Sequence, residues 1–327
     1  MLSVCAALSN MPQTFHYPPV LKLASPPRMA SFQATFGPCS DSELYGAYIW
    51  VQHVVGALYP ITQHVEISLR NAIDGDVRRR LHDYWWRLPQ FATSATSDLV
   101  DNFNKAEKTL TRAWKTTERK RLGLPAGGTL PVTSIAPTWS HDKIVAATDF
   151  STWEYVLRDD FAAANQSQNH LYPWPLSITK CFKQYSLLDT SSPLARKKLG
   201  DLVREIREYR NRLFHHDKIW LSISPAPAMN VQTAISSIRH KINQMELLLN
   251  VIDPRVVDLL NRTGVFSNAR RVCTLNELQI YRFAHTEQPF TRRKKRVLRS
   301  VTGRARNANV TEAWEYGGAL FGIYRIR

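Results

Sequence analysis

The chain has 327 residues, of which 44% are hydrophobic and 21% charged. That mixture suits one large buried core or two smaller ones and excludes disordered, collagen-like and disulfide-stapled scaffolds. Its 43 basic residues outnumber 27 acidic ones, a net charge of +16, so a polyanion such as nucleic acid is the leading partner class and membrane phosphate the weaker competitor.

No stretch approaches 18 consecutive apolar residues, and MLSVCAALSNMPQ lacks the basic and unbroken apolar regions of a secretory signal. No membrane span and a cytoplasmic location are therefore expected. Cys5, Cys39, Cys181 and Cys273 form no C-x-x-C pair, which argues against a disulfide framework and against a thiolate metal knuckle.

Residues 1–40 carry repeated prolines (YPPV, SPPR) without a sustained period and read as an irregular N-terminal arm. Met29, within it, is an alternative translation start to Met1. From Leu44 to about Trp86 the pattern is helical: Ile61, Val65, Leu69, Ile73, Val77 and Leu81 recur every fourth residue and draw one apolar stripe that must meet a core. A polar, basic helix is predicted over 97–120, followed by GLPAGGTLPVTSIAPTWS, a loop rich in glycine and proline. Helical pattern resumes at 141–161, breaks at LYPWPLS, and returns at 176–187 and 193–219. Another helix spans about 231–251, and Asp253-Pro254 starts a short one with a capping Asp and a first-turn Pro. No alternating strands and no internal repeat stand out. The expectation is an all-α helical core over 41–264, with residues 265–327 as a basic C-terminal extension.

The C-terminal part of the chain holds much of the excess charge: residues 251–327 contain 15 basic and 6 acidic side chains. Within TRRKKRVLRSVTGRAR, Arg292, Arg293, Lys294, Lys295, Arg296 and Arg299 are candidates for salt-sensitive phosphate contacts with RNA. A solvated or disordered tail is the equal alternative.

Phosphate loops, dinucleotide fingerprints, nucleophile elbows and H-E-x-x-H zinc pairs are missing, and no His or carboxylate cluster has metal spacing, so no cofactor and no metal are expected. The informative segment is DLVREIREYRNRLFHHDKIW, residues 201–220. Leu202, Ile206, Tyr209 and Leu213 form its apolar stripe, while Arg207, Arg210, Asn211, His215 and His216 crowd the other faces. Asn211 and His215 share a face; Arg210 and His215 are about 140° apart round an ideal helix, a gap that a long arginine bridges near a helix end. An imidazole titrates near pH ~6.5 and moves protons in neutral water, and a guanidinium holds phosphate and its transition state. That pair suits RNA cleavage, since RNA brings its own 2′-hydroxyl nucleophile and requires only acid-base help and charge stabilisation.

REIREYRNRLFHHDKIW resembles the signature of the Abi-like (abortive infection) family of the HEPN superfamily, whose motif is R-x(4-6)-H with a polar residue after the arginine. Arg210, Asn211 and His215 match it, and His216 fits the double histidine of this branch. YIWVQHVVGALYPITQHVEISLRNAID is similar to the family's N-terminal helices, in which a glutamate and an Arg-Asn pair recur, here Glu66, Arg70 and Asn71. KIVAATDFSTWEYVL and LYPWPL resemble the intervening portion, although Phe-Ser stands at Phe150 where the family has Phe-Gly. The likeness covers about 44–255.

It implies a HEPN-type helical bundle with additional helices, and a metal-independent endoribonuclease whose R-N-x-x-x-H motifs meet in a homodimer cleft. It further implies a role in phage defence or as a toxin, with an antitoxin protein or RNA as possible partner. Its other branch is a noncatalytic RNA-binding or protein-interaction module. Under the first reading His215 is general base or acid, Arg210 binds the scissile phosphate, Asn211 orients phosphate or ribose, and Glu66, Arg70, Asn71 and His216 support them.

Taken without the family, Arg210 is a solvated cation or the partner of an acidic group on another helix, and His215 satisfies a core carbonyl. Glu66 and Arg70, four apart, suit an ordinary helical ion pair, and Asn71 a cap or cross-helix hydrogen bond. Trp50, Trp153 and Trp220 are expected in the core.

Overall fold

The computed structural model describes residues 8–9, 15–37, 39–220, 230–282, 284–285, 296, 299–300, 302–303, 312–316 and 319–323. Among these the fold is all-α. Its helices are α1 (Pro18–Leu23), α2 (Pro26–Phe36), α3 (Asp41–Arg80), α4 (Ser97–Arg121), α5 (His141–Ala147), α6 (Phe150–Tyr155), α7 (Ile178–Cys181), α8 (Ser192–Phe214), α9 (Val231–Ile252), α10 (Pro254–Arg262), α11 (Val265–Val272) and α12 (Leu275–Arg282). Two short antiparallel pairs, Leu8–Ser9 with Ala284–His285 and Glu312–Tyr316 with Ala319–Ile323, accompany them. No described helix is long and apolar enough to cross a membrane.

Within the stretch 1–40, expected as an irregular arm, residues 18–23 and 26–36 form α1 and α2, while 1–7, 10–14 and 38 lie outside the described residues. Their prolines stand in the first turn of each helix, where a missing N–H has no intrahelical partner to lose and φ is already set for the helix. The segment expected as one helix over 141–161 is two short ones, and 176–187 is reduced to α7 and a single turn at Tyr185–Leu187. The stretch 122–140 carries no helix, as its glycines and prolines predict.

The chain divides into two compact units, Met1–His53 with Ser222–Ile235 and Val272–Arg327, and Val54–Leu221 with Ser236–Arg271. In the first, Met29, Phe32 and Phe36 of α2 are buried, and Phe36 meets Trp50 edge to face at 6.0 Å. Trp50 donates its indole N–H to the Val272 carbonyl at 2.9 Å, which satisfies a polar atom on a fully buried ring. Gly46 lies directly against the Tyr281 carbonyl; a Cβ there would overlap it, so this close approach of α3 and α12 requires glycine.

In the second unit the stripe Ile61, Val65, Leu69, Ile73 and Val77 is fully buried, whereas Leu81, expected to continue it, lies past the end of α3 and is half-buried. Each such side chain contributes about 1.5–3 kcal/mol on leaving water. Trp86 stacks on Phe103 of α4 at 3.9 Å, with Trp85 and Trp153 edge-on to the same ring. Asp74 accepts from Trp85 Nε1 and lies 3.1 Å from His141 Nε2, and its burial pushes its carboxyl up. Arg80, ending α3, donates to the carbonyls of Tyr172 and Pro173 and to Ser177 Oγ, fixing the proline-broken segment. Trp153 and Trp220 are core residues, as expected.

Asp253 caps α10: its carboxylate accepts from the Arg255 backbone N–H and holds the side chains of Arg255 and Lys183. Arg255 first, then Lys183, hold that carboxyl well below the usual carboxylate range. A depressed folded pKa gives stability that is present above the unfolded value of about 3.9 and lost as pH falls through the folded one. Asp253→Ala is therefore expected to cost about 1–2 kcal/mol at neutral pH. The difference in melting temperature from wild type should shrink as pH drops below about 4, which thermal melts over a pH series will read.

Candidate functional site

Helix α8 carries the candidate residues Arg210 and Asn211, with His215 and His216 just beyond its end. Leu202, Ile206, Tyr209 and Leu213 are its buried stripe, as the sequence predicts. Ion pairs anchor it at three levels: Arg196 binds Asp159, Glu205 binds Lys241 of α9 at 2.9 Å, and Arg207 binds the buried Glu154 of α6 at 2.5 Å. Gln244 and Lys241 hold the Glu205 carboxyl below its ordinary value. Arg207 thus serves as an anchor on α8.

One turn further along, Arg210 meets α3. Its Nη2 lies 3.5 Å from Glu66 Oε2, its guanidinium sits over the Phe214 ring at 4.5 Å, and Nη1 lies 3.4 Å from Asn211 Oδ1. The contact with Glu66 is longer than the ~2.8 Å of a saturated charge-assisted hydrogen bond, and Arg210 Nε is buried without an acceptor among the described residues. An unmet guanidinium N–H costs about 1–3 kcal/mol.

Glu66, Arg70 and Arg210 line one open cleft of about 290 Å³ together with Tyr59, Thr62, Gln63, Ile67 and Phe214. The alternative reading, a helical ion pair between Glu66 and Arg70, is not what the described residues make. Glu66 turns across to Arg210, and Arg70 donates Nε to Asn71 Oδ1 at 3.4 Å. Asn71 is exposed and is bonded to this neighbour on its own helix, in place of the expected cap or cross-helix bond.

The helix stops at Phe214, five residues before the expected limit, and the stop is built on the two histidines. His215 is the C-cap, and its N–H bonds the Asn211 carbonyl. His216 takes φ +56°, in the left-handed region that glycine usually fills. The His216 N–H then reaches the Leu213 carbonyl at 3.4 Å and the Asp217 N–H reaches that of Arg212 at 3.0 Å, so the last carbonyls of α8 are satisfied. Both imidazoles are exposed and neither lines the cleft. Among the described residues His215 satisfies no core carbonyl through its ring, which was its alternative reading.

Tyr59 and Phe214, absent from the sequence reading, are half-exposed and meet edge to face at 5.7 Å beside Arg210. Their signal was present in spacing: Phe214 is four residues after Arg210, and Tyr59, Gln63, Glu66 and Arg70 share a helical face.

Of the tail candidates, Arg296 and Arg299 are exposed, while Arg292, Arg293, Lys294 and Lys295 lie outside the described residues. Among the described residues no group of three or more His, Cys, Asp or Glu side chains could hold a metal ion. Compared with known proteins, the chain matches no family model, no curated protein and no solved structure.

Proposed function

We propose that this chain is an Abi-like HEPN protein acting as a metal-independent endoribonuclease in phage defence or as a toxin. One observation carries the reading. The two segments that resemble the family meet at Arg210 and Glu66, where a half-buried, incompletely bonded guanidinium borders a cleft beside Arg70.

In this mechanism Arg210 and Arg70 take the scissile phosphate and stabilise the charge that builds on its oxygens. Glu66 fixes the orientation of Arg210. Tyr59 and Phe214 present ring faces on which a neighbouring base stacks. His215, at the exposed end of α8, withdraws the proton from the 2′-hydroxyl or returns one to the departing 5′-oxygen. The 2′-oxygen attacks phosphorus and the bond to the 5′-oxygen breaks, leaving a 2′,3′-cyclic phosphate and a 5′-hydroxyl. Because His215 lies outside the cleft of its own chain, a homodimer that brings the histidine of one protomer toward the cleft of the other would complete the site. The protein acts in the cytoplasm under this reading, and an antitoxin protein or RNA would restrain it.

Incubation with total RNA in EDTA is expected to yield fragments with 2′,3′-cyclic phosphate and 5′-hydroxyl ends. Intact RNA at micromolar protein, or fragments with 3′-hydroxyl ends, would overturn the mechanism. The second reading, a noncatalytic RNA-binding or interaction module, is favoured by the same exposed, cleft-external position of His215. It predicts RNA retention without fragments.

A further inference from the structure

Helix α4 turns Leu99, Phe103 and Ala106 into the core, and a different face carries a row of cations. Lys108, Arg112, Lys115 and Arg119 fall within a sector of about 60° and run for about 16 Å along the axis, at 100° and 1.5 Å per residue. They line an open groove of about 650 Å³. Lys108, Arg112 and Lys115 are exposed.

The acidic groups nearby are already engaged. Glu107 is held by Arg87 at 2.5 Å, and Glu118 by Arg121 and Ser134. None of the four cations in the row makes an ion pair among the described residues, although Arg119 donates Nε to the Gly128 carbonyl. The loop 122–140 is tied to the helix at that bond and at Trp139 Nε1 to Thr111 Oγ1, 2.9 Å. This holds the half-exposed indole of Trp139 against Thr111, which lines the groove, with Lys143 over the ring at 5.6 Å.

A straight row of uncompensated cations carries a concentrated positive potential that folding alone does not require, since like charges three and four apart on a helix repel. An aromatic ring beside such a row is the combination that holds a single strand, cations tracking phosphates and the ring stacking a base. We infer that the α4 face is a docking track for the backbone of single-stranded RNA, separate from the Arg210 cleft. The inference takes RNA as ligand from the proposed function, but it does not require cleavage.

The test is anisotropy of a fluorescent 12-nucleotide 2′-O-methyl RNA, which lacks the nucleophile, titrated with the full chain at several salt concentrations. A Lys108→Gln, Arg112→Gln, Lys115→Gln variant should keep the wild-type circular dichroism and melting temperature. Its Kd should rise at least about 10-fold, and the slope of log K against log salt should flatten by about 2, at 0.7 per lost phosphate contact on a single strand. An Arg296→Gln, Arg299→Gln variant is the comparison.

Loss confined to the α4 variant supports the track. Unchanged affinity and slope in that variant overturn it, as does equal loss in the tail variant. Binding that depends on Lys108, Arg112 and Lys115 only with vesicles containing 30% phosphatidylserine, and not with RNA, also overturns it and assigns the face to lipid. A flattened slope in a protein that cuts no RNA leaves the track standing without the ribonuclease. Cleavage with an unchanged slope does the reverse.

Discussion

His215→Ala is expected to abolish RNA cleavage, by about 10²–10⁴-fold for the loss of a general acid or base, while leaving the fold intact. The separation of the two effects follows from where the residue sits. His215 is exposed at the C-cap of α8, its ring makes no hydrogen bond among the described residues, and the helix end is closed by backbone bonds that alanine also makes. Removal of an exposed side chain of this kind costs within about 0.5 kcal/mol, so lost activity in the variant reports chemistry. Matched melting curves and RNA digests of wild type and variant are the measurement, and undiminished cleavage by a clean preparation of the variant would sink the ribonuclease assignment. The neighbouring His216 differs in kind. Its positive φ makes it part of the helix stop, so its substitution changes backbone strain as well as any role in the cleft.

The parts of this molecule that were legible in the sequence are those set by period. Ile61 to Val77 and Leu202 to Leu213 repeat at helical spacing and are buried where that spacing puts them. The capping Asp253 announced α10 because its chemistry is local. The prolines of 1–40 were read as breakers because Pro in a helix interior is one; the same residue in a first turn starts a helix, and sequence alone does not say which turn it occupies.

The candidate site divides along the same line. Arg210, Glu66 and Arg70 are separated by up to 144 positions, and the sequence marked them only through the resemblance of their two segments. That Glu66 chooses Arg210 over the nearer Arg70 is a tertiary outcome, fixed by the packing of α8 against its neighbours. The α4 row was read only as a basic helix, because whether its cations are neutralised depends on carboxylates that come from elsewhere in the chain.

The largest stability effect should come from Glu154, the residue that orients the site helix from α6. Its carboxylate is buried, accepts from Arg207 Nε at 2.5 Å, and lies 3.4 Å from Arg204 Nε. Arg207 is largely covered, with a side chain 24% exposed, so Glu154→Ala strands a guanidinium where water replaces the lost acceptor poorly. That case costs about 3 kcal/mol, or roughly 4 °C in melting temperature for a chain of this size. Glu154→Gln keeps an acceptor of the same shape and should cost about half as much. Arg204→Ala should cost under about 1 kcal/mol, because that side chain is half-exposed and already pairs with Asp201.

The consequence reaches the cleft: Arg207 and Arg210 are one turn apart on the same helix, and a loosened Arg207 frees the segment that aims Arg210 at Glu66. Cleavage by Glu154→Ala, assayed at a temperature where the variant is fully folded, should therefore fall while Glu154→Gln stays closer to wild type. If both variants melt within 1 °C of wild type, the Glu154–Arg207 pair is not what holds α8 in register, and the orientation of Arg210 has another source.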